Sequence, residues 1–392
     1  MSDQRRGVAA AATLLALVLL GGCFPGHTPA PGAAPNGKAA PTSPPSLTVT
    51  PATGATRVPI SAEVGLAVSG GTVATVILTR AGSKQAIKGF VRDDGTSWVP
   101  DAPLRYGTSY TATVTARSKD GTQTTTKTST FRTMGEPARQ TGTGLYLFTG
   151  ETYGVALPVV IEFSPPVPDS ARANVQRRLF ASSTPSQPGV WSWASGSQVW
   201  YRPAKYWQPG TSLTVRAALA GQPMGGGYYG DVDRSATVRI GQKVYMSVDN
   251  ATKSMKVYVD DKLVRKIPVS LGKHSTPSSS GHLVVMSKAY TTIFDTTNEG
   301  PGGYRVSVNY AMRLTWGGEF IHSAPWSVND QGKRNVSHGC INMSAANAKW
   351  LFSQTLIGDP VTIKGTSREL LYGNGWTDWD KPWDEYVKGS AI

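Results

Sequence analysis

The sequence predicts a mainly β protein: two β-sandwiches, a third domain of mixed sheets with one main helix, and a C-terminal extension. Apolar and polar side chains alternate over short stretches such as Val64 to Val68 and Val244 to Val248, and a period of two residues is typical of half-buried strands. Turn sequences such as Asp93-Asp94-Gly95 separate these stretches. A helical composition is convincing only from Ser344 to Phe352, where Ser344 is a suitable N-cap.

Two consecutive modules, residues 47–134 and 135–241, resemble each other. Each contains a tryptophan, Trp98 or Trp200, followed at nearly the same distance by a turn and an alternating strand. Two immunoglobulin-like β-sandwiches fit this pattern, without the cysteines of true antibody domains.

Length and charge limit the class of protein. The 392 residues, 39% of them hydrophobic, are enough for two or three cores. The formal net charge of +14 indicates anionic surroundings, such as phospholipid head groups or wall polymers. Because no run of Lys and Arg is interleaved with aromatic residues, we expect no nucleic acid partner.

The N-terminus predicts an exported and anchored protein. Residues 1–22 contain two arginines and an apolar run from Val8 to Leu20, too short to span a bilayer comfortably, which indicates a signal peptide. Leu20-Gly21-Gly22-Cys23 resembles the bacterial lipobox, so we expect a lipid on Cys23 and attachment to the outer face of the cytoplasmic membrane. The alternative is that the signal peptide is cleaved at another position, so that Cys23 is removed with it. Residues 23–46 are rich in Pro and small residues and predict a disordered tether.

The third domain, residues 242–366, contains Cys340, the cysteine expected to remain a free thiol in the mature protein. It lies in the segment SHGCIN, Ser337 to Asn342, just before the predicted helix. A helix N-terminus or a nearby imidazolium would lower the pKa of the thiol. His322 is the candidate proton acceptor.

Three interpretations of this segment are open. Cys340 is a small buried hydrophobic residue, or His322, His338 and Cys340 are zinc ligands, or Cys340 and His322 act as nucleophile and base. A structural zinc site usually has four ligands with paired Cys or His spacings, and no second cysteine is available here, so we expect no metal.

The whole string HSAPWSVNDQGKRNVSHGCIN, His322 to Asn342, closely resembles the signature of the L,D-transpeptidases of bacterial cell walls. That signature has a His-Ser-Ala start, a loop, and then Ser/Thr-His-Gly-Cys-hydrophobic-Asn. Similarity continues upstream in five short segments: Ser270-Leu271-Gly272, Thr276-Pro277, Gly281, Tyr304-Arg305 and Phe320-Ile321. The resemblance is to the multidomain actinobacterial members, with immunoglobulin-like modules before a catalytic domain. It favours nucleophilic catalysis.

The resemblance implies a reaction. The substrate is a peptidoglycan stem peptide, and Cys340 attacks the carbonyl of its third residue, a diamino acid, so that D-alanine leaves and a thioester forms. The side-chain amine of a second stem then takes the acyl group, linking two third residues directly. No cofactor is needed. Carbapenem β-lactams are expected to acylate the same thiol.

The resemblance also implies roles for individual residues. His322 moves the proton while the backbone carbonyl of Ser323 orients its ring. Four groups are expected to stabilise the oxyanion: the backbone N–H groups of His338, Gly339 and Cys340 and the hydroxyl of Tyr304. Seven residues are expected to contact substrate: Phe294, Tyr304, Gly317, Gly318, Trp326, Ser337 and Asn342. A lid of about residues 293–303 covers the site, and His282 is assigned no role.

The C-terminal extension, residues 367–392, is dense in Trp and Tyr, and we expect it to pack on a domain face and buttress the catalytic domain rather than to grip glycan. Two other functions stay open. Water in place of the acceptor amine would give an L,D-carboxypeptidase or cysteine peptidase. A non-catalytic lipoprotein that binds the wall is the third possibility.

Overall fold

The computed structural model describes residues 43–297 and 303–392, and its first part is a β-sandwich. Eight strands form it: β1 (Ser46–Thr50), β2 (Ala55–Val58), β3 (Val64–Ser69), β4 (Gly71–Arg80), β5 (Gly89–Val91), β6 (Ser97–Pro100), β7 (Ser109–Ser118) and β8 (Thr124–Thr133). The two sheets have the strand orders β1-β3-β6-β5 and β2-β8-β7-β4. Along β7, every second residue from Tyr110 to Ala116 is buried, as the period of two predicts.

The second part is also a sandwich and contains a helix that the sequence did not reveal. Its elements are β9 (Gln140–Leu145), β10 (Thr152–Tyr153), β11 (Val159–Ser164), α1 (Asp169–Gln176), β12 (Leu179–Thr184), β13 (Gly189–Ser195), β14 (Gln198–Pro203), β15 (Ser212–Ala217), β16 (Pro223–Gly225), β17 (Tyr228–Gly230) and β18 (Arg234–Ile240). The sheet orders are β10-β18-β15-β12 and β13-β14-β11-β9-β17-β16. Trp200 is buried at its centre, as Trp98 is in the first sandwich.

The third part holds two mixed sheets and the predicted helix. Its elements are β19 (Val244–Asp249), β20 (Ser254–Val259), β21 (Lys262–Pro268), β22 (Ser279–Val284), β23 (Ser287–Asp295), β24 (Arg305–Arg313), β25 (Phe320–Ser323), β26 (Ile341–Met343), α2 (Ala345–Gln354) and β27 (Pro360–Lys364). The Ser344 hydroxyl caps α2 by accepting the Asn347 N–H at 3.3 Å. The smaller sheet, β23-β24-β25-β26, ends in the parallel pair β25 and β26.

The C-terminal extension contributes β28 (Arg368–Glu369), which pairs with β22, and α3 (Trp383–Tyr386). The extension was expected to buttress the third domain, but most of its aromatic residues pack on the second sandwich instead. The hydroxyl of Tyr386 donates to the Trp200 carbonyl at 2.9 Å. The Arg202 guanidinium lies 4.2 Å from the Trp379 ring centroid. The extension therefore bridges two domains, since Asp380 also accepts the His282 N–H at 2.8 Å.

These elements confirm the predicted mainly β class. Strand β1 begins at Ser46, one residue before the predicted start of the first sandwich. The predicted signal peptide, Cys23 and most of the predicted tether lie outside the described residues. Within residues 43–297 and 303–392, no helix combines the length and apolar character needed to cross a membrane.

Candidate active site

The parallel strands β25 and β26 bring His322 and Cys340 into one groove. His322 is in register with Asn342, and Cys340 immediately precedes β26. Both residues line a groove of about 500 Å³, together with Trp326 and Ser337. The two residues singled out eighteen positions apart in the sequence therefore face the same space.

The His322 ring is held in one tautomer. Its Nδ1 lies 2.9 Å from the carbonyl oxygen of Ser323. A carbonyl can only accept, so Nδ1 carries the proton and Nε2 is left as a proton acceptor. His322 is 3% exposed, and burial lowers the pKa of its imidazole. The Phe294 ring meets the imidazole edge-on at 5.2 Å, and Trp326 lies 6.1 Å away between ring centroids.

Cys340 lies in a different electrostatic setting from the one predicted. Strand β26 separates it from α2, which begins at Ala345, so the thiol does not lie at the helix N-terminus. Burial raises the pKa of Cys340 to about 12, and the nearby Glu319 carboxylate adds to that rise. The thiol, 9% exposed, donates to the Gly318 carbonyl at 3.6 Å. At neutral pH, Cys340 is thus a neutral thiol that lines one groove with a neutral imidazole.

The turn before Cys340 is fastened by two serine hydroxyls. Ser337 Oγ accepts the Gly339 N–H at 3.1 Å and donates to the Cys340 carbonyl at 2.6 Å. Ser278 Oγ donates to the Gly339 carbonyl at 2.6 Å. Gly339 adopts φ +128°, a region that L side chains rarely occupy. The glycine is therefore required by its backbone conformation.

This turn changes two expected roles. The Gly339 N–H is used by Ser337, so it is not free for an oxyanion. The Ser337 side chain is buried, and its hydroxyl already makes both hydrogen bonds of the turn. It therefore has little hydrogen-bonding capacity left for a substrate. Among the described residues, the backbone N–H groups of His338 and Cys340 have no hydrogen-bond partner, so both are available to a developing negative charge.

Tyr304 and His338 stand together at the mouth of the site, with ring centroids 5.1 Å apart. His338 Nε2 lies 3.0 Å from Lys273 Nζ, and burial together with this ammonium lowers the pKa of His338. Of the predicted lid, residues 298–302 lie outside the described part. On either side of them, Thr296 N–H donates to the Tyr304 carbonyl at 2.9 Å.

A second groove of about 560 Å³ also includes Cys340 in its lining, together with Gly317, Gly318 and Arg313. It shares four residues with the first groove: Phe294, Tyr304, His338 and Cys340. Cys340 therefore lies where the two grooves meet.

The predicted substrate contacts at Gly317 and Gly318 need a correction. The Gly317 N–H donates to Asn374 Oδ1 at 2.8 Å, and the Gly318 N–H donates to the Thr315 carbonyl at 3.3 Å. Both amides are occupied, so only the carbonyls of these glycines can meet a ligand. Asn342 is buried and donates to Ser327 Oγ at 3.2 Å, although it lines the first groove.

Sequence reasoning missed the residues behind the site. Glu319 is 4% exposed, and its carboxylate accepts the Ser279 hydroxyl at 2.8 Å. The Arg368 guanidinium lies 3.7 Å from the same carboxylate. Burial raises the pKa of Glu319 despite these partners. The glutamate next to Phe320-Ile321 was visible in the sequence, but nothing local indicates that it is buried.

Two family models match separate parts of the chain. Residues 55–223 match the model of the bacterial Ig domain. Residues 243–363 match the model of the L,D-transpeptidase catalytic domain.

Two curated proteins of Mycobacterium tuberculosis are similar over most of the chain. L,D-transpeptidase 2 is 32% identical over 391 residues, which is 97% of this chain and 94% of that protein. L,D-transpeptidase 5 is 33% identical over 356 residues, or 89% of this chain and 77% of that protein.

Solved structures cover a smaller share of the chain. An L,D-transpeptidase in complex with imipenem is 32% identical and covers 58% of this chain and 100% of its own, with a TM-score of 0.49. L,D-transpeptidase 3 from Mycobacterium tuberculosis, in complex with a faropenem-derived adduct, is 28% identical and covers 57% and 97%, with a TM-score of 0.47.

Proposed function

This chain belongs to the L,D-transpeptidase family, and we propose that it forms direct cross-links between the third-position diamino acids of peptidoglycan stem peptides, through a thioester on Cys340. The observation that carries the proposal is the neutral His322, with its proton held on Nδ1 by Ser323, in one groove with the thiol. An imidazole in this state is ready to take a proton.

The first half-reaction acylates the enzyme. His322 Nε2 takes the thiol proton as the sulfur attacks the carbonyl carbon of the third residue. Because the pKa of Cys340 is raised, proton removal and attack occur together rather than through a stored thiolate. The backbone N–H groups of His338 and Cys340 stabilise the oxyanion. The imidazolium then protonates the leaving nitrogen, D-alanine departs, and a thioester remains.

The second half-reaction transfers the acyl group. The side-chain amine of another stem attacks the thioester, gives its proton to His322, and displaces the sulfur, which recovers the proton. The thioester conserves the energy of the original peptide bond, so no external energy source enters. The two grooves that meet at Cys340 suit a reaction with two peptide substrates. We assign the Gly317 and Gly318 groove to the donor and the Trp326 groove to the acceptor.

Product analysis tests the proposal. Purified protein incubated with tetrapeptide stems should release D-alanine and yield a dimer joined through the third residues, measured by mass spectrometry. Cys340→Ala is the matched control and should yield neither product. Tripeptide in place of dimer would replace the transpeptidase with an L,D-carboxypeptidase. Unchanged substrate would contradict both.

We propose that carbapenems acylate Cys340, because a strained amide presented to this thiol repeats the first half-reaction. Two relatives have been solved, one in complex with imipenem and the other with a faropenem-derived adduct. Intact-mass measurement should show one adduct on the wild type and none on Cys340→Ala.

We propose further that the protein is exported and held by a lipid on Cys23 at the outer face of the cytoplasmic membrane, facing the cell wall. Support comes from the apolar N-terminal run and the Leu20-Gly21-Gly22-Cys23 segment. Detergent partition of the protein from cells should change from the detergent phase to the aqueous phase in Cys23→Ala. An unchanged partition would contradict the anchor.

A further inference from the structure

The second groove contains a fixed guanidinium. Arg313, the last residue of β24, lines this groove together with Cys340. Its Nε donates to the Thr315 carbonyl at 3.0 Å, and its Nη2 donates to the Trp316 carbonyl at 3.1 Å. The guanidinium carbon lies 5.2 Å from the Phe320 ring centroid. Two carbonyls and an aromatic ring therefore fix its position before any ligand arrives.

Within the part of the chain that the structure describes, no carboxylate neutralises the positive charge of Arg313. No carboxylate of the described residues pairs with it within 4.0 Å. Asp295 is the acidic residue among the described residues lining this groove, but its carboxylate accepts the Thr297 hydroxyl at 2.6 Å and pairs with Arg305 at 3.7 Å. Nη1 of Arg313 and the second hydrogen on Nη2 thus keep their capacity to donate.

We propose that Arg313 binds a free carboxylate of the donor stem, and this inference rests on the proposed function. A planar guanidinium with two outward N–H groups matches a carboxylate in geometry and charge. The donor stem offers this group on either side of the scissile bond, as the terminal carboxylate of the D-residue or as a side-chain carboxylate of the diamino acid. In both cases the bound group is a carboxylate of the donor stem, in the groove that Arg313 and Cys340 line.

Two pairs of tetrapeptide stems test this. One pair differs only in a terminal carboxylate or carboxamide, and the other only in the side-chain carboxylate or carboxamide of the third residue. The measured quantity is kcat/KM for release of the fourth residue. The wild type should prefer the acid in one pair by about tenfold to a hundredfold, mainly through KM, as expected for a charge-assisted hydrogen bond. The pair that shows the preference identifies the carboxylate.

Three variants complete the test. Arg313→Gln should reduce the acid-to-amide ratio to about one, and Arg313→Lys should keep part of it because the charge remains. The ratio compares two substrates on one enzyme, so a loss of folded protein does not change it. Arg265→Gln is the matched control: its guanidinium stacks 3.9 Å from the Trp350 ring centroid, and the ratio should stay as in the wild type.

Two results would overturn the inference: a wild type that treats acid and amide alike in both pairs, or a preference that persists in Arg313→Gln. Release of the fourth residue in those cases would leave the proposed function standing. Absence of release from all four stems would overturn the proposed function, and the role of Arg313 with it.

Discussion

His322 Nδ1 lies 2.9 Å from the carbonyl oxygen of the next residue, Ser323. A buried ring held by its own backbone leaves one nitrogen, always Nε2, as a proton acceptor in the groove that Cys340 also lines. No carboxylate is required to orient it. The ring remains neutral over most of the pH range because burial disfavours its charged form.

The first prediction concerns pH. The base works only when His322 is neutral, and burial lowers its pKa below the ordinary value of 6.5. The kcat/KM for D-alanine release should therefore rise with pH along a limb centred below 6.5 and stay level through neutral pH. His322→Asn should lose about a hundredfold or more in rate. A limb centred above 6.5 would contradict the assignment.

The second prediction concerns the thiol. Burial raises the pKa of Cys340 to about 12, so the thiol should stay protonated at pH 7 to 9. The difference in thiolate absorbance between the wild type and Cys340→Ala should therefore be near zero over this range. Glu319→Gln removes a negative charge while keeping an acceptor for Ser279, so it should lower the pKa of the thiol. A thiolate present at pH 7 in the wild type would contradict this account.

The third prediction concerns the turn that carries the nucleophile. Ser337→Ala removes the acceptor of the Gly339 N–H and the donor to the Cys340 carbonyl. Leaving these buried groups unpaired should cost about 1 to 3 kcal/mol of unfolding free energy and lower kcat. Urea unfolding and D-alanine release measure the two effects. Ser353→Ala is the control, since that exposed hydroxyl lies on α2; equal losses in both variants would show that the turn has no special role.

The fourth prediction separates two roles of the C-terminal extension. Asn374→Ala releases the Gly317 N–H and should lower kcat/KM by about three- to tenfold, roughly the effect of one hydrogen bond, with little change in Tm. Tyr386→Phe removes the buried hydroxyl that donates to the Trp200 carbonyl and should lower Tm while the activity of the folded protein stays constant. The two roles would be contradicted if Asn374→Ala lowered Tm while Tyr386→Phe lowered activity, or if neither change had an effect.

Strand periodicity predicted the fold class, and the resemblance of the string from His322 to Asn342 to the family signature predicted the pair that the structure brings into one groove. The electrostatics were not predictable in the same way. Strand β26 has three residues, too few for a periodic signal, and pairing with β25 rather than its own composition makes it a strand. Because that strand lies between the thiol and α2, the pKa of Cys340 is set mainly by burial and not by the helix dipole.

Long-range contacts account for the other differences. Asn374 reaches Gly317 across 57 positions, and no local pattern in the extension indicates this bond. The density of Trp and Tyr predicted that the tail packs, but not that Arg202 of the second sandwich lies against the rings of Trp379 and Tyr386. The conformation of Gly339 is also set by the fold: a Cβ there would meet Glu319 at 3.6 Å, an ordinary contact, so its φ of +128° rather than crowding requires the glycine.

The most direct test of the central claim is the intact mass of the protein quenched in acid shortly after mixing with a tetrapeptide stem. The account predicts a mass increase equal to the stem minus D-alanine, located by peptide mapping on Cys340, absent from Cys340→Ala and lost when hydroxylamine cleaves the thioester. D-alanine released with no such adduct at any quench time, or an adduct that survives in Cys340→Ala, would contradict it.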